Sequence, residues 1–119
     1  MLLRARQQGG LVICGAVYAE LLGYREVQAE FVDAFLARGG IEVDAELGRD
    51  VWRDAGTRFA RYCARRKKSM GGEPRRLLAD FIIGSHAWLR ADRLLTFNED
   101  DYRPDYPELR LADRSAAEV

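Results

Sequence analysis

Short apolar segments alternate with amphipathic ones along the chain, and this alternation predicts strands separated by helices. The segment LVIC at 11–14 is a continuous, β-branched apolar run, which is typical of a strand buried on both faces. IEV at 41–43 and RLLTF at 93–97 are further strand candidates, and LRL at 109–111 is a candidate edge strand. This order of elements favours an α/β fold with a parallel sheet covered by helices.

The segments between these strands carry the apolar spacing of helices. We place helices at residues 16–23, 25–40, 44–68 and 74–90. Residues 2–8 are predicted to form the last turns of another helix, which Gly9-Gly10 ends. The apolar side of the second helix is expected to comprise Val27, Phe31, Phe35 and Leu36.

The length of 119 residues suffices for one domain with a hydrophobic core, which we assign to 1–113, followed by a tail at 114–119. Nineteen basic and nineteen acidic side chains cancel, so the net charge indicates neither a nucleic-acid partner nor an acidic substrate. Cys14 and Cys63 are too few for a disulfide framework, and their apolar surroundings favour buried free thiols. With no signal peptide and no membrane-spanning run, we expect a cytoplasmic protein.

Two acidic residues interrupt apolar helices. Asp80 in LLADFIIGSHAWL shares a helical stripe with the small residues Gly84, Ala87 and Ala91, which predicts close approach of another element and a cavity above the stripe. Glu20 lies in AVYAELL, soon after the LVIC strand. Because burying an unpaired carboxylate is costly, we expect these acids either to share a Mg²⁺ or Mn²⁺ ion or to pair with arginines.

His86 and the polar run at 98–101 are further candidates for a site with these acids. His86 lies about 240° around the helix from Asp80, so it is expected to be a core or helix-surface imidazole rather than a general-base partner. The run from Asn98 to Asp101 follows RLLTF, at the carboxyl end of a predicted strand, where ligands gather in parallel sheets. It is either part of a metal site or a solvated turn.

Three segments carry a family resemblance: LVICGAVYAELLG, RRLLADFIIGSHAWLRADRLLTFNEDDY and YPELRL. In order and spacing they resemble PIN domains of the VapC type, across nearly the whole chain. The resemblance implies a three-layer α/β/α sandwich around a parallel sheet. By motif position, Glu20, Asp80 and Asn98 match the catalytic and metal-binding residues, Asp101 is a further candidate ligand, and Thr96 matches a polar residue that lines the pocket.

The resemblance implies a Mg²⁺- or Mn²⁺-dependent endoribonuclease, the toxin of a bacterial type II toxin–antitoxin pair. In such enzymes the metal activates a water molecule and stabilises charge at the phosphate, so no nucleophilic side chain is required. The implied partners are a cognate antitoxin protein, an RNA substrate and a second copy of the chain.

One departure from the family matters. PIN domains open with a central strand that carries an aspartate, in a pattern such as Leu-Asp-Thr-Asn, and this chain lacks it. We therefore expect a gap at the centre of the sheet, with unpaired backbone groups on its neighbours. Only Glu20 and Asp80 remain of four expected acids. Either the start codon was placed too far downstream, or the chain is a shortened, inactive remnant that still binds antitoxin or RNA.

The segment RFARYCARRKK at 58–68 contains six basic residues and no acidic one. The candidate RNA-contacting residues are Arg58, Arg61, Arg65, Lys68, Arg75 and Arg76. The alternative is a solvated helix C-terminus whose cations suit the helix dipole. Side chains on the helices at 16–38 offer either a groove for an antitoxin or second subunit, or core contacts: Tyr18, Leu21, Tyr24 and Phe31.

Overall fold

The computed structural model describes residues 3–5, 10–24, 27–70, 76–96 and 98–112. In this part of the chain the strands are β1 (Leu3–Ala5), β2 (Leu11–Cys14), β3 (Ile41–Asp44) and β4 (Arg93–Leu95). The helices are α1 (Gly15–Leu22), α2 (Ala29–Arg38), α3 (Arg49–Lys68), α4 (Leu78–Arg90) and α5 (Glu99–Tyr102). The fold is therefore of the mixed α/β type, as the alternation of apolar segments predicts.

The four strands form one sheet in the order β3-β2-β1-β4. β2 and β3 are parallel, with Leu11 opposite Ile41 and Cys14 opposite Asp44. β1 is antiparallel to both of its neighbours, so β2, β3 and β4 share one direction and β1 opposes them. The sheet is thus mixed, and the expectation of a wholly parallel sheet is correct only for the strands other than β1.

β1 lies where the sequence predicted the end of a helix. Arg4 is opposite Val12 of β2 on one side and Leu94 of β4 on the other. The helix prediction is therefore wrong for Leu3–Ala5, and the expected gap at the centre of the sheet is filled by this strand. Unpaired N–H and C=O groups on both neighbouring strands favour an added strand over an isolated helical turn, which is costly to nucleate.

The other predicted elements are largely confirmed, with shifted starts. α1 ends before Gly23, α2 before Gly39, and α4 at Arg90. α2, α3 and α4 all begin later than predicted, and Pro74 lies outside the described residues. The LRL segment contributes one bridge, in which Leu111 lies parallel to Leu94 of β4. The predicted tail at 114–119 and Phe97 also lie outside the described residues.

The buried side of α2 differs from the prediction. Val32 and Leu36 are buried, whereas Phe31 and Phe35 are 61% and 49% exposed. Tyr24, just after α1, is also exposed, so a core role is wrong for Tyr24, Phe31 and Phe35. Val32 and Leu36 are four residues apart, so they share one face of α2, and Phe31 and Phe35 follow the adjacent, exposed face.

The hydrophobic core centres on Phe81 of α4, which is 1% exposed. Aromatic rings surround it, with centroid distances of 5.3 Å to Phe59, 5.6 Å to Tyr62 and 6.2 Å to Tyr106. Tilted and edge-on pairs at these distances add stability beyond the burial of apolar area. The core therefore ties α3 and α4 to the segment that follows α5.

The predicted close approach to the small-residue stripe of α4 is confirmed, and the approaching group is Tyr106. A Cβ atom on Gly84 would lie 2.6 Å from Cε2 of that ring. The Tyr106 hydroxyl donates to the Phe81 carbonyl at 2.7 Å and lies 2.7 Å from Ser85 Oγ. The aromatic ring fills the space where we expected a cavity.

The remaining core predictions concern His86 and the thiols. His86 is 1% exposed, and its Nε2 lies 2.7 Å from Oδ2 of Asp44 at the end of β3, which confirms a core imidazole. Cys14 is buried and Cys63 half-buried, and neither forms a disulfide within the described residues. No helix in the described ranges combines the length and apolar character that crossing a membrane requires.

Candidate functional site

Asp80 lies half-buried in the first turn of α4. Its Oδ2 accepts a hydrogen bond from the Leu77 backbone N–H at 3.2 Å, and its own N–H donates to the Leu77 carbonyl at 3.0 Å. A negative charge at a helix N-terminus also interacts favourably with the helix dipole. One oxygen of the carboxylate thus begins the helix, and among the described residues Oδ1 has no hydrogen-bond partner.

The hydroxyl of Tyr102 lies within electrostatic range of Asp80. Tyr102 is 4% exposed, and among the described residues its hydroxyl has no hydrogen-bond partner. Burial raises the pKa of this phenol far above its usual value, and the negative charges of Asp80 and Asp101 raise it further. The phenol therefore stays protonated, and both carboxylates contribute to this. We call Asp80 and Asp101 the acidic pair.

A turn after β4 positions the second member of the acidic pair. Thr96 is buried, and its Oγ1 accepts a hydrogen bond from the Asn98 backbone N–H at 3.1 Å. This bond directs the chain into α5, where Asp101 is exposed and lies 3.5 Å from Nη2 of Arg76. Asn98 is exposed at the start of α5, and its side chain does not cap the helix. Thr96 forms the turn with its hydroxyl, and its side chain is buried rather than lining an open pocket.

Glu20 is exposed on α1, so the expectation that it is buried is wrong. The helix buries Val17 and half-buries Leu21, which leaves Glu20 on its solvent side. α1 nevertheless contacts α4, the helix that carries Asp80. Within the described residues no arginine forms an ion pair with Glu20 or Asp80, so neither carboxylate is neutralised in that way.

The donor atoms here suit a hard divalent cation in kind, but their number is small. Mg²⁺ prefers carboxylate and carbonyl oxygens, which the acidic pair and Asn98 provide. Across the described residues, no group of three or more His, Cys, Asp or Glu side chains is arranged to hold a metal ion. Mg²⁺ commonly binds through one or two carboxylates and substrate phosphates while it keeps several waters, so it can bind with fewer protein ligands than a closed metal site has.

Arg58, a predicted RNA contact, makes several contacts within the protein. Its Nε lies 3.0 Å from Asp54 Oδ2 and its Nη1 2.7 Å from Glu108 Oε1. The guanidinium carbon also lies 4.2 Å from the centre of the Tyr106 ring. The hydrogen bond from Arg58 lowers the pKa of Glu108 below its usual value. Arg58 therefore holds the segment 104–108 against α3.

Asp105 binds two more of the predicted RNA contacts. Its side chain is only 2% exposed, and it forms ion pairs with Arg65 and, at 3.2 Å, with Arg76. Arg61 and Lys68 are exposed and have no ion pair among the described residues, and Arg75 lies outside them. Sequence reasoning missed Asp105 and Tyr102, because both lie in a turn-rich segment with no periodicity to mark them as buried.

Comparison with known proteins adds no family assignment. No family model matches the chain, and no curated protein and no solved structure is significantly similar to it. Functional inference therefore depends on the side chains around the acidic pair and on the charged surface of α3.

Proposed function

We propose that the protein is a metal-dependent endoribonuclease of the PIN type, acting as the toxin of a type II toxin–antitoxin pair. The observation that supports this most is the acidic pair. The negative charges of Asp80, at the start of α4, and of Asp101, in α5, both raise the pKa of one buried hydroxyl, that of Tyr102. α5 begins at Glu99, shortly after β4 ends at Leu95, and ligands bind beyond the carboxyl ends of strands in α/β folds.

We also infer that helices cover both faces of the sheet, as in an α/β/α sandwich. From β2 the chain crosses through α1 and α2 to β3, at one edge of the sheet, and from β3 it returns through α3 and α4 to β4, at the other edge. Crossovers between parallel strands are almost always right-handed. Two right-handed crossovers in opposite directions place their helices on opposite faces, which supports the sandwich.

The roles of the individual residues follow from their contacts. Asp80 and Asp101 would hold a Mg²⁺ ion, with the Asn98 carbonyl oxygen as a neutral ligand and Glu20 as an additional acid on the neighbouring helix. When bound, the ion supplies an activated water and charge stabilisation at the scissile phosphate. Arg76 binds both Asp101 and Asp105, and so orients Asp101.

A toxin must also contact its antitoxin, and we place that contact on exposed aromatic side chains beside and on α2. Tyr24, Phe31 and Phe35 are 60%, 61% and 49% exposed. Exposed apolar patches of this kind often mark protein–protein contacts. A second copy of the chain is the alternative occupant of this surface.

The nuclease proposal is tested with a labelled RNA oligonucleotide, in Mg²⁺ and in EDTA. Wild-type protein should cleave only with Mg²⁺, and Asp80→Asn or Asp101→Asn should slow cleavage roughly 100-fold or more, because each removes charge from a site with few ligands. Asparagine at position 80 can still accept the Leu77 N–H, so α4 keeps its start. Glu30→Gln, an exposed acid on α2, is the matched control and should cleave normally. Cleavage that survives both EDTA and Asp80→Asn would refute the proposal.

The absence of a three-ligand acidic group among the described residues favours a second candidate, a non-catalytic protein that binds RNA or antitoxin. This candidate predicts that wild-type protein binds RNA without cleaving it at any Mg²⁺ concentration. The same assay therefore separates the two functions.

A further inference from the structure

A cavity of 570 Å³ lies between part of α3 and the segment that follows α5. Its α3 wall includes Arg53, Thr57, Arg61 and Arg65, and its opposite wall includes Asp105 and Glu108. The α3 residues recur every fourth position, so they follow one face of the helix. We call this cavity the arginine cleft.

Every carboxylate in the walls of the arginine cleft already has an arginine partner. The first ion pair, Asp50 with Arg90, measures 2.7 Å, and Arg90 lowers the pKa of this acid. The others join Asp54 and Glu108 to Arg58, and Asp105 to Arg65 and Arg76.

Two arginines that line the cleft do not take part in these ion pairs. Arg53 and Arg61 are exposed, and within the described residues neither has an ion pair. Thr57 lies between them on the same face of α3, and it too is exposed. Four arginines and four carboxylates line the cleft. Because Arg90 and Arg76 pair with two of these carboxylates from outside the lining, the α3 wall presents two guanidiniums that have no ion pair among the described residues.

The arginine cleft is connected to Asp101 of the acidic pair. Asp105 in its wall binds Arg76, and Arg76 also lies 3.5 Å from Asp101. One guanidinium thus connects the wall of the cleft with the candidate site. Arg65, at one end of the cleft, shares the Asp105 carboxylate with Arg76, so this end of the cleft is the one connected to Asp101.

We propose that the arginine cleft binds the phosphodiester backbone of single-stranded RNA, with Arg53 and Arg61 on separate phosphates and the Thr57 hydroxyl between them. Eight helical positions separate the two arginines, on the order of 12 Å along the helix axis. Guanidinium groups bind phosphate oxygens through paired hydrogen bonds. The choice of RNA over an acidic protein segment rests on the proposed function, because the cleft is connected to the site that would act on a phosphodiester.

The test measures binding of a fluorescein-labelled oligouridylate by fluorescence anisotropy in EDTA, where no metal-dependent cleavage occurs. The variant Arg53→Ala/Arg61→Ala should bind at least about 10-fold more weakly than wild type. The slope of log affinity against log salt should fall by about 1.4, since each lost phosphate contact on a single strand contributes about 0.7. Thermal unfolding should match wild type, because both positions are exposed.

The matched control also replaces two arginines with alanine, but at positions that do not line the cleft. Arg38 lies on α2 and Arg93 at the amino end of β4; both are exposed, and neither lines the cleft. Arg38→Ala/Arg93→Ala should keep wild-type affinity within about 2-fold and a nearly unchanged salt slope. Equal binding by the two double variants, or wild-type protein that binds no RNA, would overturn the proposal. So would tighter, Arg53- and Arg61-dependent binding of labelled polyglutamate than of RNA.

This inference and the nuclease proposal fail in different ways. If the cleft variant loses RNA binding in EDTA while wild-type protein never cleaves in Mg²⁺, the cleft assignment stands and the nuclease assignment falls. If wild-type protein cleaves and the cleft variant binds and cleaves as the control does, the nuclease assignment stands and the cleft assignment falls.

Discussion

Two glycines in helices show how the same residue type serves opposite needs. Gly84 of α4 lies under the Tyr106 ring, where an added Cβ would come within 2.6 Å of Cε2. Gly56 lies on the exposed side of α3, and an added Cβ there would meet nothing within 4 Å. The first glycine is needed for packing, whereas the second only weakens its helix.

Alanine at these two positions should therefore change stability in opposite directions. Gly84→Ala should destabilise the protein by about 1–3 kcal/mol, because the ring and its hydrogen bonds to Phe81 and Ser85 must shift. Gly56→Ala should stabilise it by about 0.5–1 kcal/mol through helix propensity. Urea denaturation of both variants measures the two changes. A Gly84→Ala protein as stable as wild type would show that Tyr106 does not pack on this helix.

At the scale of elements, charged side chains fix the segment 104–108 on α3. Arg58 forms ion pairs with Asp54 and Glu108 and stacks on the Tyr106 ring. Asp105 forms ion pairs with Arg65 and Arg76. A buried carboxylate between guanidiniums is stable only while all partners are present. The segment therefore depends on ion pairs as well as on its apolar residues.

This arrangement gives a pH dependence. The hydrogen bond from Arg58 lowers the pKa of Glu108 below its unfolded value of 4.5. A carboxyl whose pKa is lower in the folded state contributes stability above the unfolded pKa and loses it as the pH falls through the folded value. Glu108→Gln should therefore lose less stability than wild type between about pH 5 and pH 3, measured by thermal unfolding. Glu30→Gln should keep the wild-type dependence, and identical curves for all three proteins would contradict the expectation.

At the scale of the whole molecule, β1 joins the two parts of the sheet. It is opposite β2 on one side and β4 on the other. No other described strand lies between β2 and β4. The three residues of β1 are therefore few in number but central to the sheet.

A proline in β1 tests whether this strand is needed for the stability of the sheet. Arg4→Pro should destabilise the protein by about 3 kcal/mol or more, because proline donates no hydrogen bond and is poorly tolerated in a central strand. Arg4→Lys keeps the backbone and should remain within about 0.5 kcal/mol of wild type. Denaturant unfolding compares the two, and a proline variant of undiminished stability would place β1 outside the sheet.

Features that depend on the local sequence pattern were predicted correctly. Features that depend on contacts between distant parts of the chain were missed. The LVIC strand, the ends of α1 and α2, and the close approach over Gly84 all follow from periodicity and residue size. β1 did not, because it is fixed by backbone groups on strands distant in the sequence. For the candidate site, Asp80 stood out as an acid in an apolar helix, whereas the burial of Tyr102 and Asp105 depends on partners that no spacing reveals.

The direction of β1 has a practical consequence. Leu3 is opposite Leu95, so the chain enters the sheet at the edge where β4 ends, and Leu111 runs alongside β4 toward that same edge. A purification tag fused ahead of Met1 would be tethered two residues from Leu3, at the edge of the sheet where β4 leads toward α5 and Asp101. A polyhistidine tag there could chelate transition metals and imitate or block a native ion. Tag-free protein is therefore the appropriate material for metal titrations.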